Sequence, residues 1–259
     1  MSDSPLEIRT ILITGATGGI GNALAEAYAA PGIKLILHGR REAALAELAA
    51  RCEAKGAEVL SKVMDLRDVA HWAAWLGKVC EQEPIDLVFA NAGVNTNIGE
   101  QNEGERWEAV DELLDVNVKA VMATVHAVLP SMRARGKGQI VLVSSLAAFF
   151  GLPVTPSYSA SKAAIKAYGE GLRGWLEPEG IRVNVIMPGY VESKMCREMP
   201  GPKPFLWQPE KAARLIKRKL AANKPRITFP FPLDYGCWWL SVLPPGISQR
   251  ILHLLDYAG

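Results

Sequence analysis

Cysteine is scarce in this chain: four among 259 residues, at positions 52, 80, 196 and 237, with no CxxC pair. That spacing excludes a disulfide framework and a cysteine-based zinc site, and it fits a reducing compartment, so a cytoplasmic protein is expected. Histidine is equally thin. His38, His71, His126 and His253 stand singly, so no metal centre is expected. An excess of charge of one sign is missing too: 29 Lys and Arg face 27 Asp and Glu, a net charge of +2. Such a balance offers little to a nucleic-acid backbone, and no nucleic-acid partner is expected. Lys211, Arg214, Lys217, Arg218 and Lys219 do crowd together, in a helical pattern that reads as a solvated face. No apolar run approaches the length of a bilayer span, and Met1–Thr10 is polar and runs at once into a strand. Neither a membrane span nor a secretory signal is therefore expected.

What is present is the pattern of an ordinary globular chain, 49% hydrophobic and 22% charged, long enough to bury one core as a single domain over residues 1–259. Short apolar runs alternate with helix-length segments, the signature of βαβ units on a parallel sheet. Strands are expected at Ile11–Ile13, Leu35–Leu37, Val59–Leu60, Leu87–Phe89, Ile140–Val143, Val183–Ile186 and Ile227–Phe229. Their lack of polar alternation predicts cover on both faces. Helices are expected over Gly19–Ala30, Arg41–Lys55, Val69–Gln82, Arg106–Ser131 and Pro156–Leu176, with Asp68 and Thr155 as N-caps. Residues 188–209 hold five prolines and two glycines. A long irregular segment after a strand's C-terminal end reads as a substrate lid.

The first strand runs into Thr14-Gly15-Ala16-Thr17-Gly18-Gly19-Ile20-Gly21, which opens the first helix. Glycines at 15, 19 and 21 let the backbone turn tightly and approach a pyrophosphate seated on the positive end of the helix dipole. The strand before and the helix after make this run a dinucleotide signal. The second strand ends in His38-Gly39-Arg40-Arg41. An NAD site usually carries an acid there for the ribose 2′-hydroxyl, whereas an arginine can clamp a 2′-phosphate. Arg40, with Arg41 beside it, points to NADP(H), with NAD(H) as the alternative.

Tyr158 and Lys162 lie one helical turn apart and share a face, and Ser145 closes the fifth strand upstream. A free phenol titrates near 10. A neighbouring ammonium and the positive charge of an oxidised nicotinamide are expected to lower that value. Tyr158 would then pass a proton to or from a substrate oxygen as a hydride moves.

In this order the motifs resemble the short-chain dehydrogenase/reductase family, from about Thr10 to Ser193. The resemblance rests on Thr14-Gly15-x-x-x-Gly19-x-Gly21, Asp65, Asn91-Ala92-Gly93, Asn117, Ser145, Tyr158-x-x-x-Lys162 and Pro188-Gly189. It implies a Rossmann-like doubly wound parallel sheet, NAD(P) across the strand ends, and a catalytic set of Asn117, Ser145, Tyr158 and Lys162. It implies that Asp65, with Leu66 beside it, meets the adenine, that Asn91-Ala92-Gly93 supports the cofactor loop and that Pro188-Gly189 borders the nicotinamide. Ser193, with Val191 before it, would reach the carboxamide. Lys162 would hold the ribose hydroxyls and Asn117 a water, while Ser145, chosen over Ser144 by its separation from Tyr158, would orient the substrate oxygen.

The implied activity interconverts a ketone or aldehyde with an alcohol, in a homodimer or homotetramer. An NAD-linked alcohol dehydrogenase using the same site and a non-enzymatic NADP(H)-binding regulator are the alternatives. Two departures stand out: Ala90 occupies the place of a frequent second asparagine, and the Asp-Gly-Gly ending of many relatives is missing. Instead an aromatic tail follows Phe229, holding Phe231, Tyr235, Trp238, Trp239 and Tyr257. Two short helices are expected there, Asp234–Leu243 and Ile247–Tyr257. The tail is expected to be buried on its own sheet edge or against a partner subunit. A pocket wall is an alternative, and so is a membrane interface, which would make the substrate lipid-like.

Overall fold

A computed structural model describes residues 6–99, 101–199 and 201–255. Seven strands form one parallel sheet: β1 (Thr10–Ile13), β2 (Lys34–Gly39), β3 (Glu58–Val63), β4 (Leu87–Ala90), β5 (Gly138–Val143), β6 (Ile181–Pro188) and β7 (Arg226–Phe229). Their order is β3-β2-β1-β4-β5-β6-β7. The chain winds outward in one direction from β1 and in the other from β4, so a crevice opens between the C-terminal ends of these two neighbours. The helices are α1 (Gly19–Tyr28), α2 (Glu42–Glu53), α3 (Val69–Gln82), α4 (Trp107–Leu114), α5 (Ala120–Arg135), α6 (Pro156–Leu176), α7 (Lys194–Glu198), α8 (Pro209–Ala221), α9 (Leu233–Val242) and α10 (Pro245–Leu254).

The layering follows from the period-two alternation of strand side chains. Ile11, Ile13, Leu35, Leu37 and Phe89 face one way, toward Leu24 and Tyr28 of α1, Leu45 and Leu48 of α2 and Ile216 and Leu220 of α8. Leu12, Ile36, Val88, Ile140 and Leu142 face the other way, toward Trp72 and Leu76 of α3, Val125 and Val128 of α5 and Ile165 and Leu172 of α6. The fold is the expected Rossmann-like, doubly wound α/β domain. Cover on both faces fails at one strand: β3 is a sheet edge, where Leu60 and Val63 are exposed.

Other local expectations change as well. Asp68 caps α3 by accepting from the His71 amide, whereas the Thr155 hydroxyl, though buried at the start of α6, makes no capping bond. Glu105 serves that helix end instead, accepting from the Ser157 amide and hydroxyl, a carboxylate placed where the dipole favours one. The stretch Trp107–Arg135 is a continuous 29-residue helical run, long and apolar enough by composition to cross a bilayer, contrary to the reading of the sequence. Half of its most apolar window is buried inside the protein, so it is a core element here. A π-helical turn, Asp115–Lys119, interrupts it. The lid segment is more ordered than expected: it contains α7 and folds back so that Val191 pairs with Trp207.

The two tail helices form one to two residues earlier than expected, and Tyr257 lies outside the described residues. Leu233 and Cys237 of α9 pack on Leu146, Val185 and Met187. The Ser248 hydroxyl of α10 donates to the Leu240 carbonyl at 2.8 Å, tying the pair together. The tail therefore covers its own sheet edge. Phe231, Tyr235, Trp239 and Leu254 remain exposed on its outer side.

Candidate active site

A cavity of about 700 Å³ runs along the C-terminal ends of the strands. The sharp turn after β1 forms its floor. Gly15 there has φ +64°, and a β-carbon on it would sit 2.8 Å from the Ala92 α-carbon; one on Gly19 would sit 2.5 Å from the Glu192 carbonyl oxygen. Helix α1 has Gly18 as its N-cap and no side chain caps it, so its first-turn amides open on the cavity and suit an anionic group. Thr14 and Asn91 lock the turn to β4. The Thr14 hydroxyl oxygen accepts from the Asn91 and Ala92 amides at 3.0 Å each, and the Asn91 side chain donates to the carbonyls of Thr14 and Gly15.

His38 is a further brace. Its Nδ1 accepts from the Gly15 amide at 3.3 Å while Nε2 bonds the Met64 carbonyl at 3.0 Å, a pairing that assigns the proton to Nε2. Burial lowers its pKa and keeps the ring neutral. At the far end of the cavity Arg40 pairs with Glu112 of α4 at 2.9 Å. Arg41 donates to the Thr17 carbonyl. Asp65 is taken up by Arg67, which holds its carboxyl below the usual range.

Toward β5 and β6 the cavity meets Ser145, Tyr158 and Lys162. The Ser145 hydroxyl donates to the Pro188 carbonyl at 3.4 Å, accepts from the Ala147 amide at 3.1 Å and stands beside the Tyr158 phenol in the cavity wall. The neighbouring Ser144 hydroxyl is committed elsewhere, donating to the Lys162 carbonyl at 2.7 Å. Lys162 Nζ donates to the Val143 carbonyl at 3.0 Å and lies 5.6 Å from the centre of the Tyr158 ring. Lys162 by itself does not lower the phenol. Burial pushes Tyr158 up to about 12, with the neighbouring Ser145 opposing, and burial pushes Lys162 down to about 8. Both groups have lost water, and desolvation penalises each charged form more than the pair's mutual influence restores it.

Residues 9–202 match the family described as short chain dehydrogenase. The chain belongs to the short-chain dehydrogenase/reductase family. An uncharacterized oxidoreductase of Myxococcus xanthus is 38% identical over 245 residues, 92% of this chain and 94% of the relative. A short-chain dehydrogenase from Sphingobium yanoikuyae in complex with NADPH is 26% identical, with a TM-score of 0.81 over 95% of this chain and 96% of that one. An NAD⁺-bound xylitol dehydrogenase is 30% identical, with a TM-score of 0.67 over 76% and 74%.

In this short-chain dehydrogenase/reductase the cavity wall brings together Gly15, Thr17, Gly18, Gly19, Ile20, Gly21, Arg40, Arg41, Asp65, Leu66, Asn91, Ala92 and Gly93 with Tyr158, Lys162, Pro188, Gly189, Val191 and Ser193. Ser193 also caps α7 through the Cys196 amide. Asn117 is not in the wall. It is fully buried in the π-turn, its amide bonded to both backbone groups of Val94 and to Ser161, which makes it a positioning residue. Sequence reasoning missed His38, Glu112 and Arg67. Of these only His38 carried a signal, its place in the strand end beside Arg40.

Proposed function

We propose that this protein is an NADP(H)-preferring carbonyl reductase, interconverting a ketone or aldehyde with the corresponding alcohol. The observation that carries this reading is the gathering of Ser145 and Tyr158, with Lys162 5.6 Å from the phenol ring, in the wall of the cavity that the glycine turn floors. The residues of that wall would hold the dinucleotide, with the uncapped start of α1 toward its phosphates and Arg40 and Arg41 toward a 2′-phosphate. When bound, the reduced nicotinamide supplies the hydride. Ser145 orients the substrate oxygen by donating to it, and Tyr158 donates the proton that turns it into a hydroxyl. With its pKa near 12, Tyr158 is a loaded proton donor at neutral pH, which suits reduction. Lys162, anchored by Val143, sets a cation beside the phenolate that forms. The segment 188–209 serves as the substrate lid, and the balanced charge suits a cytoplasmic homodimer or homotetramer acting on small molecules.

The Arg40–Glu112 pair bears on the cofactor question. Both side chains are substantially exposed, 49% and 32%, and an exposed pair is worth about 0–1 kcal/mol. Hydrogen bonds from an arginine to a phosphate are worth roughly 1.5–3 kcal/mol, so Arg40 leaves Glu112 for the phosphate. The acid itself favours the second reading, NAD-linked alcohol oxidation. Fluorescence titration with NADPH and NADH separates the two. NADPH should bind more tightly, and Arg40→Ala should weaken it roughly tenfold to a hundredfold while leaving NADH affinity unchanged. Equal or tighter binding of NADH by the unmodified protein overturns the NADP(H) assignment.

A further inference from the structure

Behind Tyr158 lies a second cavity, of about 360 Å³. It shares Ser145, Tyr158, Gly189, Tyr190 and Met199 with the cavity already described, so the two meet at the reacting pair. Beyond that junction its wall is hydrocarbon, with Leu146 and Phe150 on one side and Trp239 and Leu240 of α9, Leu243 just after it and Ile251 of α10 on the other. Among the described residues no charged side chain lines it. Its single thiol, Cys237, is pushed up to about 11 by burial and stays neutral. Polar groups therefore gather at one end, where a carbonyl would sit, and nothing polar awaits the rest of the molecule. A charged or polyhydroxylated substrate would lose its hydration there without a partner, whereas each buried methylene gains.

We propose that the substrate is an uncharged carbonyl compound, or its alcohol, bearing a hydrocarbon tail that lies between the Leu146–Phe150 segment and the α9–α10 pair. This rests on the redox reading above and adds the substrate class to it. The C-terminal helices are then the specificity wall. Gly236 of α9 lines the cavity, and a β-carbon there meets nothing within 4 Å, so this position sets how far the tail can reach.

The test is kcat/KM with NADPH for methyl ketones from butanone to dodecanone. It should rise roughly fourfold per methylene until the tail outgrows the cavity. Gly236→Leu should lower the dodecanone-to-butanone ratio at least tenfold, with NADPH affinity retained as the sign of an intact fold. Calorimetry of dodecanone on the Tyr158→Phe protein gives a readout free of turnover, and binding with a negative heat-capacity change is expected. A flat profile, or preference for keto acids or sugars, overturns the tail proposal and leaves the redox reading standing. Dodecanone bound but no ketone reduced supports the tail site and overturns the redox reading. Neither bound nor reduced overturns the proposal.

Discussion

Tyr158 and Lys162 show at the level of single residues how a proposed catalytic pair opposes stability. Burial displaces both groups from their ordinary values, to about 12 and about 8. Between pH 8 and 10.5 an unfolded chain keeps a proton on this lysine that the folded chain has released. Lys162 therefore adds stability as pH rises through that window and withholds it below pH 8. Replacing it with methionine should stabilise the fold most at pH 7, and the gap to the unmodified protein should close by about 3 kcal/mol as pH reaches 10.5. Denaturant melts of both proteins at stepped pH check this, and a gap independent of pH contradicts it. In the proposed mechanism the phenol passes the proton, so Tyr158→Phe should abolish ketone reduction with NADPH affinity unchanged. Residual turnover within tenfold of normal would remove it from that role. The lysine's effect on the phenol was misjudged because helical spacing gives proximity but not the loss of water around both groups.

Among the elements, the starts of β1 and β4 and the end of α5 are joined through one carboxylate. Asp86 accepts from the Arg9 and Thr10 amides and from Arg135 at 2.9 Å, and it is 7% exposed. Removing one partner of a buried pair leaves the other charge stranded, at about 3–5 kcal/mol. Asp86→Ala should destabilise the protein by that order in a urea melt while leaving NADPH affinity intact, because the cofactor cavity lies at the opposite ends of these strands. Element existence was legible from sequence: every expected strand and helix is present, and α3 and α6 keep their expected bounds. Boundaries and caps were less so. Glu105 serves α6 from 52 residues away, a partner that no local pattern reveals.

Across the whole molecule, cofactor binding and folding are linked, because the cavity is assembled from loops after β1, β2, β3, β4, β5 and β6. NADPH at a hundred times its Kd should add about 2.7 kcal/mol and raise Tm by roughly 5–11 °C for a chain of this size. Thermal melts with NADPH and NADH check this, and an unmoved Tm would contradict a preformed dinucleotide site. By itself the sequence determined the α/β class and the order of the elements. It also supplied the glycine turn and the tyrosine–lysine pair, because each is written in local spacing or in one strand–turn–helix unit. Only the tertiary structure decided that β3 is an exposed edge, that Arg40 faces Glu112, that His38 holds the Gly15 amide and that α9 and α10 close an apolar cavity behind Tyr158. Those facts depend on which elements pack together across long separations in the chain, and burial there sets the charge states that spacing alone leaves open.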